Sequence, residues 1–232
     1  MLLSSIYMSG FAETFEKCFI RDDRYKLLLE GIGVTIKITL LAAALGMVIG
    51  FLIALCNLSK NKVLNIIGKV YTDIIRGTPS VTQLMIVYFV IFATVGLPKW
   101  IIAAFAFSIN SGAYVSEIIR AGILSIDKGQ TEAGRSLGLT AGQTMMSIIV
   151  PQAIKNIFPA MCNEFITLIK ETAIVGYVGL VDIQKAGDFI KSSTYEALMP
   201  LLATAVIYFV IIKVLTILLG KIEKSLRKSD NR

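Results

Sequence analysis

Apolar residues in this chain fall into five blocks separated by short polar stretches, with little alternation inside a block. Each block is roughly 20 residues long, the length a helix needs to cross about 30 Å of hydrocarbon. The first covers about 33–55 and contains Lys37, and the second covers about 79–97, ending at a Gly96-Leu97-Pro98 turn. The third, about 100–119, carries Asn110, Ser111 and Glu117. The fourth, about 148–169, is interrupted by Pro151, Lys155, Pro159 and Glu164, and Pro159 predicts a broken helix there. The fifth, about 198–219, has Lys213 near its end, where its head group can snorkel to the interface. The pattern predicts an all-α integral membrane protein with five transmembrane helices.

Lysine and arginine placement orients these spans. Lys60, Lys62, Lys69 and Arg76 fall between spans one and two, Arg120, Lys128 and Arg135 between three and four, and Lys221, Lys224, Arg227, Lys228 and Arg232 in the tail. The opposite side has only Lys99, Lys185 and Lys191, while Lys17, Arg21, Arg24 and Lys26 are offset by five acids. The expected topology is N-terminus outside, C-terminus cytoplasmic, with the 120–147 loop in the cytoplasm. Residues 1–30 are not a span. Phe11, Phe15 and Phe19 recur every fourth position with Glu13, Glu16 and Lys17 between them. That reads either as an amphipathic helix on the outer membrane surface or as a partly ordered tail. The domain organisation is thus a surface segment (1–30), a membrane domain (31–220) and a basic tail (221–232).

Composition supports the membrane reading and narrows the chemistry. Apolar residues make up 55% and charged residues 17%, with a mean hydropathy of +0.73, too apolar for a soluble domain. The net charge of +7 does not point to nucleic acid, because the basic residues sit at the ends of apolar blocks, where they set topology. There is no histidine, which removes Ser-His-Asp and Cys-His catalysis, histidine metal sites and histidine pH switching. Cys18, Cys56 and Cys162 have no CxxC spacing, and the latter two read as small hydrophobes. The N-terminus lacks the basic-then-apolar pattern of a cleaved signal peptide.

The loop from Gln130 to Pro151 is short, polar and punctuated by glycine. Asp127 can cap a helix with Gln130 as its third residue, and Glu132 in the first turn is favoured by the helix dipole. Ala133 and Gly134 leave little bulk, so another protein could approach closely. Gly138 can take positive φ and stop the helix, and Thr140 with Gln143 forms a second capping box. Leu139 is expected at the corner as an exposed apolar knob. Two capped helices are more than a simple connection between spans needs.

Glu132, Ala133, Gly134, Gly138 and Pro151 resemble the E-A-A-x-x-x-G loop of ABC-type importer permeases. Arg76-Gly77-Thr78-Pro79 followed by Gln83 looks like the R-G-T-P-x-x-x-Q segment of polar amino-acid permeases. Tyr114, Glu117, Arg120 and Gly122, then Pro159, Asn163 and Lys170-Glu171-Thr172, continue the match in order over about 28–190. The chain is therefore similar to the histidine/glutamine/arginine/cystine branch of type I importer permeases. One departure is Gly134, where alanine is common, which loosens that helix by about 1 kcal/mol.

The resemblance implies the type I permease fold in a prokaryotic plasma (inner) membrane. Its implied partners are a cytoplasmic ABC ATPase dimer, a second permease chain (a copy or a relative), an extracytoplasmic amino-acid-binding protein and a polar amino-acid substrate. Glu132, Ala133, Gly134, Gly138 and Leu139 are the expected ATPase-coupling residues. The chain has no G-x-x-x-x-G-K-[ST], so it is not itself an enzyme, and ATP with Mg²⁺ belongs to the partner.

Ionisable residues inside spans are costly and usually face a cavity or a partner. Gln83, Glu117, Asn163, Glu164 and Thr167 are the candidate substrate path. Glu164, with Thr167 and Gln83 nearby, is expected to take the ammonium or cationic side chain of an amino acid. Glu117 and Arg120, one turn apart, also read as a structural ion pair. Gly46 and Gly50 form a helix-packing step. Two other classes fit less well. A stand-alone secondary transporter is disfavoured by five spans without an inverted repeat. An intramembrane enzyme needs a catalytic set within the spans, and Asp73, Asp127, Asp182 and Asp188 all lie at interfaces or in loops.

Overall fold

The computed structural model describes residues 10–227, and all regular structure among them is helical. Residues 1–9 of the expected surface segment and 228–232 of the tail lie outside the described residues. A short helix, α1, covers residues 10–20. It is followed by α2 (Tyr25–Leu58), α3 (Lys62–Arg76), α4 (Ser80–Ile86, continuing as a wide turn to Ile91) and α5 (Lys99–Leu124). Two short helices, α6 (Lys128–Ser136) and α7 (Ala141–Thr144), lead into α8 (Val150–Glu171). A tight helical stretch, Thr172–Val178, precedes α9 (Ile183–Thr194) and α10 (Leu198–Arg227).

Four helical segments are long and apolar enough to cross a membrane: α2, α5, the Ala141–Val178 run containing α8, and α10. α3 and α4 pass the same test only as a pair, bent by 105° at their junction, which makes five spans when the pair is counted as one. The helix of the second span expected at 79–97 ends at Ile91, and α3, read from sequence as part of the loop between spans one and two, is a 15-residue helix packed on α2 and α5. It is amphipathic inside out. Val63, Ile66, Ile67, Val70 and Ile74 face outward, whereas Gly68 and Thr72 are buried against α2. Lysines beside the apolar stripe lower the average hydropathy and hide it.

The structure also moves the broken helix. It lies at Gly77–Pro79, and α8 runs unbroken through Pro159. Proline removes one helical hydrogen bond, but 22 residues of α8 carry the helix across that gap. At Gly77–Pro79 glycine, a threonine bonded back to Ile74 O and proline occur together, and the chain turns.

Small residues bring the central helices together. Gly46 sits 3.2 Å, by a Cβ placed on it, from Ser111 Cβ, and a Cβ on Gly50 would collide with Val115. The Gly46/Gly50 step therefore packs α2 on α5, as expected from sequence. Ile38 and Ala42 of α2, Leu84 of α4, Ala103 and Phe107 of α5, and Val175 form the main core. The large apolar side chains of α2 and α10, such as Phe51, Leu52, Phe209 and Val210, point outward. Such a surface is stable only against lipid or another protein.

At the end of the bundle opposite the α6–α7 loop, α9 lies across α2 and α10. Asp182 caps it, accepting from Gln184 N at 3.1 Å and Lys185 N at 3.0 Å. α1 packs here as well. Cys18 and Phe19 are buried beside Ala186 and Ile190, while Phe11 and Phe15 remain exposed. Only one of the three phenylalanines faces the protein.

Candidate functional site

Polar groups gather along the facing surfaces of α5 and α8. Ser111 Oγ donates to Glu164 Oε1 at 2.8 Å. Thr167 and Glu171 follow at i+3 and i+7, so they share the Glu164 face of α8. Asn163 is exposed and turned about 100° from Glu164. Nearer the α6–α7 loop, Arg120 Nε donates to Glu117 Oε2 at 2.9 Å, forming the ion pair that the one-turn spacing predicts. Below it, Asn156 Nδ2 donates to Ser125 Oγ at 2.9 Å. The Arg76 guanidinium, arriving from the break in the second span, lies over the Tyr114 ring at 5.3 Å.

The structure gives Gln83 a different environment from the one expected. Its Nε2 donates to Ile75 O (2.7 Å), Thr78 O (3.1 Å) and Thr78 Oγ1 (2.8 Å), and its Oε1 accepts from Asn110 Nδ2 at 2.9 Å. The buried amide is thus occupied in closing the break between α3 and α4. Gln83 and Glu164 bond to adjacent residues of α5, not to each other.

The α6–α7 corner is built by its caps. Asp127 Oδ1 accepts from Gly129 N at 2.6 Å, whereas Gln130 N bonds to the Asp127 main-chain oxygen. Thr140 and Gln143 make the reciprocal box that the sequence predicts. Gly138 has φ +86°. Around it Leu139 N bonds to Gly134 O and Gly138 N to Arg135 O, both at 3.1 Å. This is the Schellman termination, in which the residue after glycine folds back on the helix.

Two expectations change with that geometry. Leu139 is half-buried, and Leu137 is the exposed knob, at 82%. Gly134 faces inward, where an added Cβ would lie 2.8 Å from Thr144 Cγ2 and 2.9 Å from Ile148 Cδ1. Its small size therefore serves the packing of α6 on the start of the fourth span. Glu132 and Ala133 remain exposed. Leu137 was missed although the glycine signalled it, since a Schellman cap turns the following residue inward and leaves the preceding one outside.

Known proteins resemble this chain in sequence and fold. Residues 46–228 match the family described as binding-protein-dependent transport system inner membrane component. The chain is 43% identical over 205 residues to the arginine transport system permease protein ArtQ of Bacillus subtilis, covering 88% of this chain and 94% of that one. It is 42% identical over 214 residues to a putative glutamine transport system permease protein GlnP of Rickettsia bellii, covering 91% and 98%. Among solved structures, an amino acid ABC transporter crystallised with histidines superposes with TM-score 0.82 at 41% identity, over 89% of this chain and 98% of that one. The inward-facing MetNI methionine ABC transporter shares the fold at TM-score 0.74 and 20% identity, over 86% and 96%.

Proposed function

The chain belongs to the family of binding-protein-dependent transport system inner membrane components, and on that premise we propose that it is the permease subunit of an ATP-driven importer of polar amino acids. It is an inner-membrane protein of the ABC amino-acid permease class. The proposal adds how it works: which surface receives the ATPase and which residues guide the substrate.

The observation that carries the coupling half is the α6–α7 corner. Its caps fix a rigid wedge, Gly134 pins the wedge to the fourth span, and Glu132 and Leu137 face away from the bundle. An ATPase closing on this wedge moves α8 through the Gly134–Thr144–Ile148 contact. Leu137 fills an apolar groove of the ATPase, and Glu132 pairs with a basic group beside it. ATP and Mg²⁺ are held by that partner. The wedge faces the cytoplasm, the N-terminus faces outward, and the α9 end receives the binding protein.

The substrate half rests on α8. With one oxygen anchored by Ser111, Glu164 presents a carboxylate to the ammonium or cationic side chain of an amino acid. Thr167 and Asn163 add neutral hydrogen-bonding groups along the way. Gln83 acts at one remove, holding the broken second span against α5. A second permease chain, a copy or a relative, closes the path from the other side.

Capture of the tagged chain from its native cells in mild detergent tests this. The expected result is an ATPase in near-equal amount with the native sequence, lost from Leu137→Asp and Glu132→Lys while the permease stays folded. Recovery of the native chain without an ATPase, even after crosslinking, would sink the reading.

A further inference from the structure

Between the break in the second span and the loop-side ends of α5 and α8 lies a cleft of about 360 Å³. Ligand sites span roughly 300–1,000 Å³, so it suits one small molecule. Arg76 forms one wall, Tyr114 and Glu117 of α5 another, and Ser125 and Asn156 the floor.

The depth of this cleft makes Arg76 informative. Asn110, which bonds Gln83 just past the break, lies 11 residues (110 − 99) into α5, about 16 Å along the helix. That is near the middle of a bilayer core of about 30 Å. Arg76 is one turn further along α5, against Tyr114, about 22 Å from Lys99 and so on the loop side of that middle. Glu117 already accepts from both Nε and Nη2 of Arg120. Two guanidinium groups thus face one carboxylate, and Arg76 makes a ring contact but no ion pair among the described residues. A cation at this depth needs water or an anion. The exposed, non-helical backbone at Gly77–Pro79 fits a water-lined cleft, since such backbone is tolerated in a membrane only where protein or water meets its polar groups.

We propose that this cleft is a release site in which Arg76 holds the α-carboxylate of the amino acid as it leaves the path. The inference rests on the permease reading above and adds a second station to it. Ser111, which anchors Glu164, and Tyr114, which carries Arg76, are three residues apart on α5, about 5 Å along its axis. A zwitterion whose ammonium sits at Glu164 therefore reaches Arg76 with its carboxylate within one helical turn. Asn156 and Ser125 offer neutral hydrogen-bonding groups on the way out.

The test uses the complete permease–ATPase complex in proteoliposomes, with binding protein outside and ATP inside. The lumen is preloaded with L-arginine or L-glutamine, whichever is carried, or with its decarboxylated analogue (agmatine or 4-aminobutanamide). The amino acid should slow initial uptake by the native complex and the analogue should not. Arg76→Gln should raise the inhibitory lumenal concentration about tenfold or more, while Arg76→Lys stays within a few-fold of native. If Arg76→Gln does not assemble, Tyr114→Leu, which removes the ring that positions the guanidinium, should raise it several-fold.

Three results would overturn the proposal: equal inhibition by the analogue, an unchanged inhibitory concentration in the variants, or no lumenal effect on the native complex, as when a lipid phosphate occupies Arg76. Absence of any ATP-driven amino-acid uptake by the native complex would instead remove the permease reading, and the release site with it.

Discussion

Ser111 of α5 and Glu164 of α8 are joined by a 2.8 Å hydrogen bond across 53 positions of sequence. The bond occupies one carboxylate oxygen and orients the other, which is what a cation-receiving group in a path requires. It also lowers the cost of an acid inside a span, because the protein satisfies one oxygen and leaves the other for the path proposed above.

Glu164→Gln should therefore lower kcat/KM for uptake at least tenfold, about 1.4 kcal/mol, while the complex still assembles. Ser111→Ala should cost only about two- to threefold, because it frees the carboxylate without removing it. Unchanged transport kinetics in Glu164→Gln would rule out its contact with substrate.

Gln83→Leu should lower stability without altering substrate preference. Four hydrogen bonds end at this amide, and the substitution leaves Ile75 O, Thr78 O and Asn110 Nδ2 without that partner. Each buried orphan costs about 1–3 kcal/mol, part of which relaxation recovers. A thermal midpoint in nanodiscs equal to the native one would show that the break in the second span closes without Gln83.

Gly134→Val should separate α6 from the start of the fourth span. Its branches would enter space held by Thr144 Cγ2 and Ile148 Cδ1, already within 3 Å of a lone Cβ. Stimulation of ATPase activity by the loaded binding protein should fall several-fold, although the Leu137 knob is untouched. Gly134→Ala sets about 1 kcal/mol of helix propensity against a smaller shift of the same side chains and should stay near native. Full coupling in the valine variant would show that force does not pass through this contact.

Asp182 should give the α9 end a distinctive pH dependence. Burial pushes its carboxyl above the usual carboxylate range, although the Gln184 and Lys185 amides and the Tyr208 hydroxyl at 3.1 Å favour the ion. An acid raised in the folded state contributes stability below its unfolded value, near 3.9, and loses it as pH rises through the folded value. Asp182→Asn keeps a capping oxygen but cannot titrate. As pH falls from neutral toward 4, the native thermal midpoint should rise relative to that of Asp182→Asn. A constant difference would mean that the caps offset burial.

Much of this molecule was determined by sequence alone. The apolar blocks predict the membrane helices, since a run of about 20 apolar residues has no better refuge than lipid. The capping box at Thr140 and Gln143 and the stop at Gly138 follow from local backbone chemistry, and the Glu117–Arg120 pair from helical spacing. The motifs around Arg76 and Glu132 identify the family.

Tertiary structure decided the rest. It made α3 and α4 a pair bent by 105°, because in a membrane an apolar stripe can face out while glycine and threonine face in. A local hydropathy average does not register that inversion. It used the Gln83 amide to close the break, through a partner 27 positions away that spacing does not reveal. It turned Gly134 inward and Leu137 outward, because the direction of a side chain at a helix end depends on what the next helix leaves open.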